Sequence, residues 1–181
     1  MTKNKLFFLL LIFTLVFSMS FVAAVDRQIT INAGSLDLEA PTLGNFSAVT
    51  LTGVTQTVTL DSTGGTITDA TGSGSGWVLK VGATQFTNGT HVLTRGAFEL
   101  TTVPGLTLID PNSSETNSIT MAAANGEVDQ ITPVTVFRAD KDGGMGSYNI
   151  GNHQFSLTLM PKETYSGTYT STITYTLQAV V

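Results

Sequence analysis

The segment at residues 167–179 most constrains the fold of this chain, because its side chains alternate in chemistry with a period of two. Tyr169, Ile173, Tyr175 and Leu177 share one parity, and threonine fills every even position from 168 to 176. Successive side chains of a β-strand point to opposite faces, so this pattern predicts a strand with one buried and one solvated face. A strand this long and β-branched would aggregate if it were unpaired, so we expect it at the centre of a sheet.

Short alternating or β-branched runs recur through most of the remaining chain, separated by Gly, Asn and Asp, and no apolar pattern of helical period continues for long. Further strands are predicted at residues 28–32, 47–51, 56–60, 64–70, 77–83, 97–103, 134–137, 147–150 and 154–160. Residues 110–130 and 139–146 are predicted to be loops, with a helical turn or two as the alternative within 118–125. About ten strands indicate an all-β domain, either a two-sheet β-sandwich of Greek-key, jelly-roll or immunoglobulin-like type, which we favour, or a barrel.

The N-terminal residues 1–24 have the layout of a targeting segment. Lys3 and Lys5 precede an apolar stretch at residues 6–17, and Ala23 and Ala24 supply small residues for cleavage. This layout is typical of a secretory signal peptide, with an uncleaved anchor as the alternative, although the stretch is short for a membrane span. We therefore predict a secreted mature chain of one domain, residues 25–181.

Charge and cysteine content exclude several classes of partner and chemistry. Without Lys3 and Lys5, six Lys and Arg residues face 13 Asp and Glu residues, a formal net charge of −7. Such an acidic surface disfavours nucleic acid as a partner. The chain has no cysteine, which excludes thiolate metal sites, a lipid-modified cysteine and cysteine catalysis.

Groups suited to catalysis are scarce. His91 and His153 are far apart in sequence, and we expect both to be loop or surface residues. Residues 72–76 match Gly-x-Ser-x-Gly by letter, but a β-like run follows instead of the helix that a nucleophile elbow requires. These observations predict a protein that is not an enzyme and that needs no cofactor.

The loop at residues 139–146 contains a weak candidate for a cation site. Asp140 and Asp142 could offer carboxylate oxygens beside a glycine turn, as calcium loops do. The later ligand positions of a calcium loop are missing, and Asp and Gly favour turns for reasons of their own. An Asp/Gly turn without a metal is therefore the favoured prediction.

Two distant segments carry motif-like residues. Trp77-Val78-Leu79 follows Asp69-Ala70-Thr71-Gly72 and a Gly/Ser run, and residues 169–177 read YTSTITYTL. Together they resemble the two motifs of the WxL domain of Gram-positive surface proteins, with Tyr175 where that family usually has a second tryptophan. The GMGSY segment at 144–148 is also similar, so the resemblance covers essentially all of the mature chain.

The resemblance implies an exported, non-catalytic domain that attaches non-covalently to the cell wall, with peptidoglycan as the ligand. It also implies a larger membrane-anchored partner protein that interacts with the domain. The sequence contains no LPxTG-type sorting motif and no cysteine for lipidation, which agrees with non-covalent attachment at the cell surface. A different class of function stays open: a fibre- or matrix-forming subunit that donates a terminal strand, for which residues 28–32 would be the donor.

The alternation of side chains along the two predicted strands indicates what the motif residues do. Trp77, Leu79 and Val81 share one face of their predicted strand, as do the apolar residues of the terminal strand. Faces of this composition normally belong to the core. We favour a framework in which the two strands pack their apolar faces together, and the alternative is an exposed aromatic platform that binds the wall.

Overall fold

The computed structural model describes residues 27–121 and 126–180 and has the predicted all-β fold. The predicted signal peptide, residues 1–24, lies outside the described residues. The chain divides into two compact units, Met1–Asn32 and Ala33–Val181. The described residues of the first unit contain no strand, and the second unit contains all the strands given below. Across the described ranges, no helix is long and apolar enough to cross a membrane.

The described part of the chain forms strands β1 to β13 and one short 3-10 turn, Thr116–Ser118. In chain order the strands are Leu36–Glu39, Thr42–Leu43, Gln56–Thr63, Thr66–Asp69, Trp77–Ala83, Phe98–Thr102, Leu106–Leu108, Ile119–Met121, Gly126–Glu127, Val134–Ala139, Gly146–Ile150, His153–Leu159 and Ile173–Ala179. Seven of the nine strands predicted before the terminal one are confirmed by an observed strand that overlaps them, and the 77–83 prediction matches β5 at both ends.

The strands form three open antiparallel sheets, so the predicted number of two sheets is wrong. Sheet A has the order β1-β4-β11-β7, sheet B has the order β2-β3-β12-β6-β9, and sheet C has the order β13-β5-β10-β8. Consecutive strands often belong to different sheets because glycine turns redirect the chain. Gly64 and Gly65, with φ of 71° and 111°, take the chain from β3 in sheet B to β4 in sheet A.

The predicted strands at 28–32 and 47–51 are also wrong. Ile29 and Ile31 are each 85% exposed, so their alternation does not reflect burial against a sheet. In the second segment, the neighbouring Phe46 packs edge-to-face on Phe86 at 5.8 Å. Phe46 and the partly buried Val49 are three residues apart. In a strand they would point to opposite faces, so this spacing does not fit a strand with one buried face.

The terminal strand is shorter than predicted and lies at a sheet edge, so its predicted central position is wrong. β13 begins only at Ile173, and within the described residues it pairs with β5 alone. Before it, Gly167 has a φ of 148° and Thr170 forms only an isolated bridge with Thr87. The alternating pattern correctly indicated that one face is buried, but it carries no information on whether a strand pairs with neighbours on one side or on both.

One cluster of buried side chains contains residues from all three sheets. Ile67 of sheet A, Trp77 of sheet C and Phe98 of sheet B are all fully buried members of it. The Phe98 ring contacts Phe86 and Phe155 at centroid distances of 5.2 and 5.4 Å. Aromatic packing of this kind contributes much of the stability of a domain core.

Candidate functional site

Trp77 is fully buried at the start of β5. Its indole Nε1 donates a 2.8 Å hydrogen bond to the carbonyl oxygen of Gly144, and its ring centroid is 6.1 Å from that of Tyr148. The preceding Gly76 has a φ of 77°, and a Cβ at that position would lie 2.7 Å from the carbonyl oxygen of Asp140. Glycine is therefore required for the chain to enter the core at this point.

The segment at residues 144–148 packs directly against Trp77. A Cβ at Gly144 would lie 2.6 Å from the indole nitrogen, so the close approach of this segment depends on a glycine. Tyr148 is fully buried, and its hydroxyl donates to the carbonyl oxygen of Ser114 at 2.8 Å. Burial raises the pKa of Tyr148 above its ordinary value of 10.0, which keeps the hydroxyl a neutral donor.

The two motif segments are neighbouring antiparallel strands. Trp77 lies opposite Ala179, Leu79 opposite Leu177, and Val81 opposite Tyr175. Leu79 is fully buried, whereas Leu177 and Tyr175 are half-buried and pack against the core cluster. The structure thus places the apolar faces of both motifs in one continuous buried surface.

Tyr169 and Ile173 lie toward the other end of the second motif. Both are half-buried and pack against the core cluster. The Tyr169 hydroxyl accepts a 3.3 Å hydrogen bond from the backbone N–H of Tyr165. These two residues also line a cavity of about 890 Å³, and they lie apart from Trp77 at the opposite end of the pair of strands.

His153 is a buried residue of β12, only 3% exposed, so its predicted loop or surface position is wrong. Its Nδ1 lies 3.2 Å from the carbonyl oxygen of Gly151, which can only accept, so Nδ1 carries the proton. Nε2 is then the acceptor for the Tyr175 hydroxyl at 2.6 Å. This hydrogen bond joins sheet B to sheet C.

Burial shifts the pKa of His153 and that of Tyr175 so that the neutral form of each side chain is favoured. Desolvation lowers the pKa of His153 below its ordinary value of 6.5 and raises the pKa of Tyr175 to about 12. The other histidine, His91, does lie in a loop as predicted, where its ring stacks on that of Tyr165 at 3.8 Å.

The Gly/Ser run before Trp77 forms a row of linked hydroxyl groups. The buried carboxylate of Asp69 accepts from the Thr71 hydroxyl at 2.7 Å. The hydroxyls of Thr71, Ser73 and Ser75 then follow one another at 2.9 and 3.0 Å. Gly72, Gly74 and Gly76 alternate with them, all with positive φ, which brings the hydroxyl-bearing side chains to one side.

Asp140 and Asp142 are held by protein contacts. The Asp140 carboxylate pairs with the guanidinium of Arg138 at 2.8 Å, and both side chains are exposed. Asp142 has a φ of 65°, and its backbone N–H donates to the carbonyl oxygen of Gly74 at 2.8 Å. Within residues 27–121 and 126–180, no group of three or more His, Asp or Glu side chains could hold a metal ion.

The outward face of sheet C is mostly polar around the buried Val78, whereas the inner face carries the apolar motif residues. We call this surface the polar face and define it by Lys80, Arg138, Thr174, Thr176 and Gln178. Thr176 lies opposite Lys80 across the β5–β13 pair, and Gln178 lies opposite Val78, which in turn lies opposite Arg138. Thr174, Gln178 and Arg138 are exposed.

One family model matches nearly the whole chain, over residues 26–180, and its description is a WxL domain, surface cell wall-binding. The chain belongs to the WxL domain family. It is accordingly a cell wall-binding domain of the cell surface, as the two motifs and the 144–148 segment predicted. Comparison of the WxL chain with curated proteins and with solved structures gave no match.

Proposed function

We propose that this WxL domain attaches non-covalently to peptidoglycan and serves as an adhesion or scaffolding module together with a membrane-anchored partner protein. The observation that supports it best is the two-sided character of the motif strands. β5 and β13 bury the apolar side chains of both motifs and carry Lys80, Thr174 and Thr176 on the opposite face. Such a domain can bind a polymer on one side without disturbing its core.

In this proposal the motif residues are framework and do not touch the wall. Trp77 and Leu79 are fully buried, and Tyr175 is committed to His153. Tyr169, Ile173 and Leu177 pack against the same core. Their part in wall binding is to fix the position of the strands whose opposite faces are free to bind.

The polar face is the proposed contact surface for the wall. Peptidoglycan presents sugar hydroxyls, amides and carboxylates in a repeating, extended array. Threonine hydroxyls and the Gln178 amide can exchange hydrogen bonds with such groups, and Lys80 supplies positive charge for carboxylates, whereas Arg138 is already paired with Asp140. Individually modest contacts of this kind add up when a polymer binds at many points.

Wall pull-down with matched variants tests this proposal. The Thr174→Glu/Thr176→Glu double variant places negative charge on the polar face, and Thr57→Glu/Thr59→Glu places the same charge on two exposed threonines of β3 in sheet B. We expect only the first variant to lose binding to purified walls, and we expect rising salt to weaken wild-type binding. If both folded variants bind walls equally, the contact surface lies elsewhere on the domain. If the folded wild-type chain does not bind walls, the proposed function is refuted.

A further inference from the structure

A cavity of about 890 Å³ opens between two loop segments, residues 44–51 and 164–171. Its volume is in the range of ligand-binding sites. The floor is apolar and comes mainly from sheet B, with Val58, Leu60, Leu157 and Leu159. None of the side chains that line it is charged, which excludes an ionic ligand as the natural occupant.

The two segments that border the cavity have unused backbone hydrogen-bonding groups. Within the described residues, no hydrogen bond from any protein group reaches residues 45–49 on one side or 166–168 on the other. Backbone N–H and C=O groups are obligatory hydrogen-bonding groups, so here they face water or an incoming chain. Backbone groups without a partner can pair with an incoming peptide that adds as a strand.

Apolar side chains continue from the cavity to the surface. Leu51 and Val54 are 45% and 65% exposed, and together with Leu159 and Pro161 they line a second, smaller cavity of about 100 Å³. Exposed apolar groups beside an apolar floor indicate a surface that is covered when the protein is in its working state.

The chain itself contains a segment whose chemistry matches this surface. Residues 28–32 read Gln-Ile-Thr-Ile-Asn, with β-branched residues at the three central positions and no charge. Ile29 and Ile31 are each 85% exposed and share one parity, while Gln28, Thr30 and Asn32 share the other. This is the pattern of a strand with one face to bury, yet the segment forms no strand within the described residues.

We propose that the cavity binds residues 28–32 of a second copy of this chain as an added strand. Ile29 and Ile31 of the donor cover the apolar floor, and the donor backbone pairs with the free groups of the bordering segments. Each copy has one donor and one acceptor, so the contact is heterologous and joins copies head to tail. This self-association requires no wall and is separate from the polar face.

Sedimentation of the secreted chain over a concentration series tests the proposal. We expect association that grows with concentration and is lost in the Ile29→Asp/Ile31→Asp variant. Ile131→Asp is the matched control, because Ile131 is 86% exposed and lies outside both the donor and the cavity. A wild-type chain that stays monomeric at all concentrations, or association that survives the donor variant, overturns the proposal.

A complementation experiment tests the acceptor. Ala48→Trp places a large ring on an exposed wall residue of the cavity and should block the acceptor while leaving the donor intact; thermal unfolding checks that it folds. Mixed with the donor variant, it should form a heterodimer that grows no further, whereas each variant alone stays monomeric. A synthetic peptide of residues 27–33 should bind the donor variant but not the Ala48→Trp variant. Binding of soluble peptidoglycan fragments to the cavity, without binding of the peptide, would overturn the proposal.

Discussion

The hydroxyl of Tyr175 donates a 2.6 Å hydrogen bond to Nε2 of His153, which joins the edge strand of sheet C to the central strand of sheet B. The resemblance of residues 169–177 to the second WxL motif places Tyr175 where that motif usually has a tryptophan. Tyrosine and tryptophan both combine a large ring with a hydrogen-bond donor. The departure from the motif therefore retains the chemistry that a buried histidine acceptor needs.

Removal of the Tyr175 hydroxyl should destabilise the domain. In a Tyr175→Phe variant, Nε2 of His153 loses its partner while it stays buried, and leaving a buried acceptor unsatisfied costs about 1–3 kcal/mol. Tyr165→Phe is the control, because Tyr165 is 53% exposed and its hydroxyl makes no hydrogen bond to a described residue. Denaturant unfolding should separate the two variants, and equal midpoints would show that the His153 contact adds nothing.

The same pair predicts how stability depends on pH. The folded-state pKa of His153 is lowered, so the unfolded chain binds the proton more readily below the ordinary pKa of 6.5. The contribution of neutral His153 is complete above that value and is lost as the pH falls through the folded pKa. Tyr175 acts in the opposite direction, because its pKa is raised from 10.0 to about 12, so its contribution is lost across that alkaline interval.

Unfolding free energies measured from about pH 7.5 down to about pH 5 test the acid side of this prediction. The wild type and a His91→Gln control should lose stability in parallel, and His153→Gln should start lower and lose less. Parallel loss in all three proteins would assign the acid sensitivity to other groups.

The sequence predicted the strands that bury one face, and it failed where burial is decided by distant residues. The alternating pattern predicted the bounds of β5 and β12 closely, because in each strand the apolar side chains of one parity point into the core. The same signal misplaced residues 28–32, whose isoleucines are exposed. Short strands such as β8 in the 110–130 segment were missed because three residues contain too little periodicity to detect.

The site was predictable only in part, for the same reason. Parity predicted that the strands of Trp77 and Leu177 pack their apolar faces together, and the structure shows instead two neighbouring strands of one sheet whose apolar residues share a face. The buried position of His153 was missed because a polar residue that begins a strand gives no apolar signal. Its alternation with Phe155 and Leu157 was the available clue, since all three share one parity of β12.

Alanine substitutions at two glycines should separate backbone strain from the contact with Trp77. Gly72 and Gly144 have similar φ values, 65° and 75°, so each alanine incurs the left-handed penalty of about 1–2 kcal/mol. At Gly72 a Cβ meets nothing within 4 Å, whereas at Gly144 it would also press on Ala139 and on the Trp77 indole. Thermal unfolding should therefore show a larger loss for Gly144→Ala, accompanied by a shift in tryptophan fluorescence that Gly72→Ala lacks. Equal losses would mean that the 144–148 segment can move away from Trp77.

Substitution of Asp129 should destabilise the domain although it lies in a stretch predicted to be a loop. Asp129 is 1% exposed, and its two carboxylate oxygens accept from the backbone N–H groups of Gly96 at 2.8 Å and Phe98 at 3.3 Å. In Asp129→Asn, the amide NH₂ replaces one acceptor and faces a backbone donor, so we expect a loss of about 1–3 kcal/mol. Asp110→Asn is the control, because Asp110 accepts from Asn112 in an exposed turn and its change should stay within about 0.5 kcal/mol. Denaturant midpoints that fall equally for both variants would contradict a structural role for the buried carboxylate.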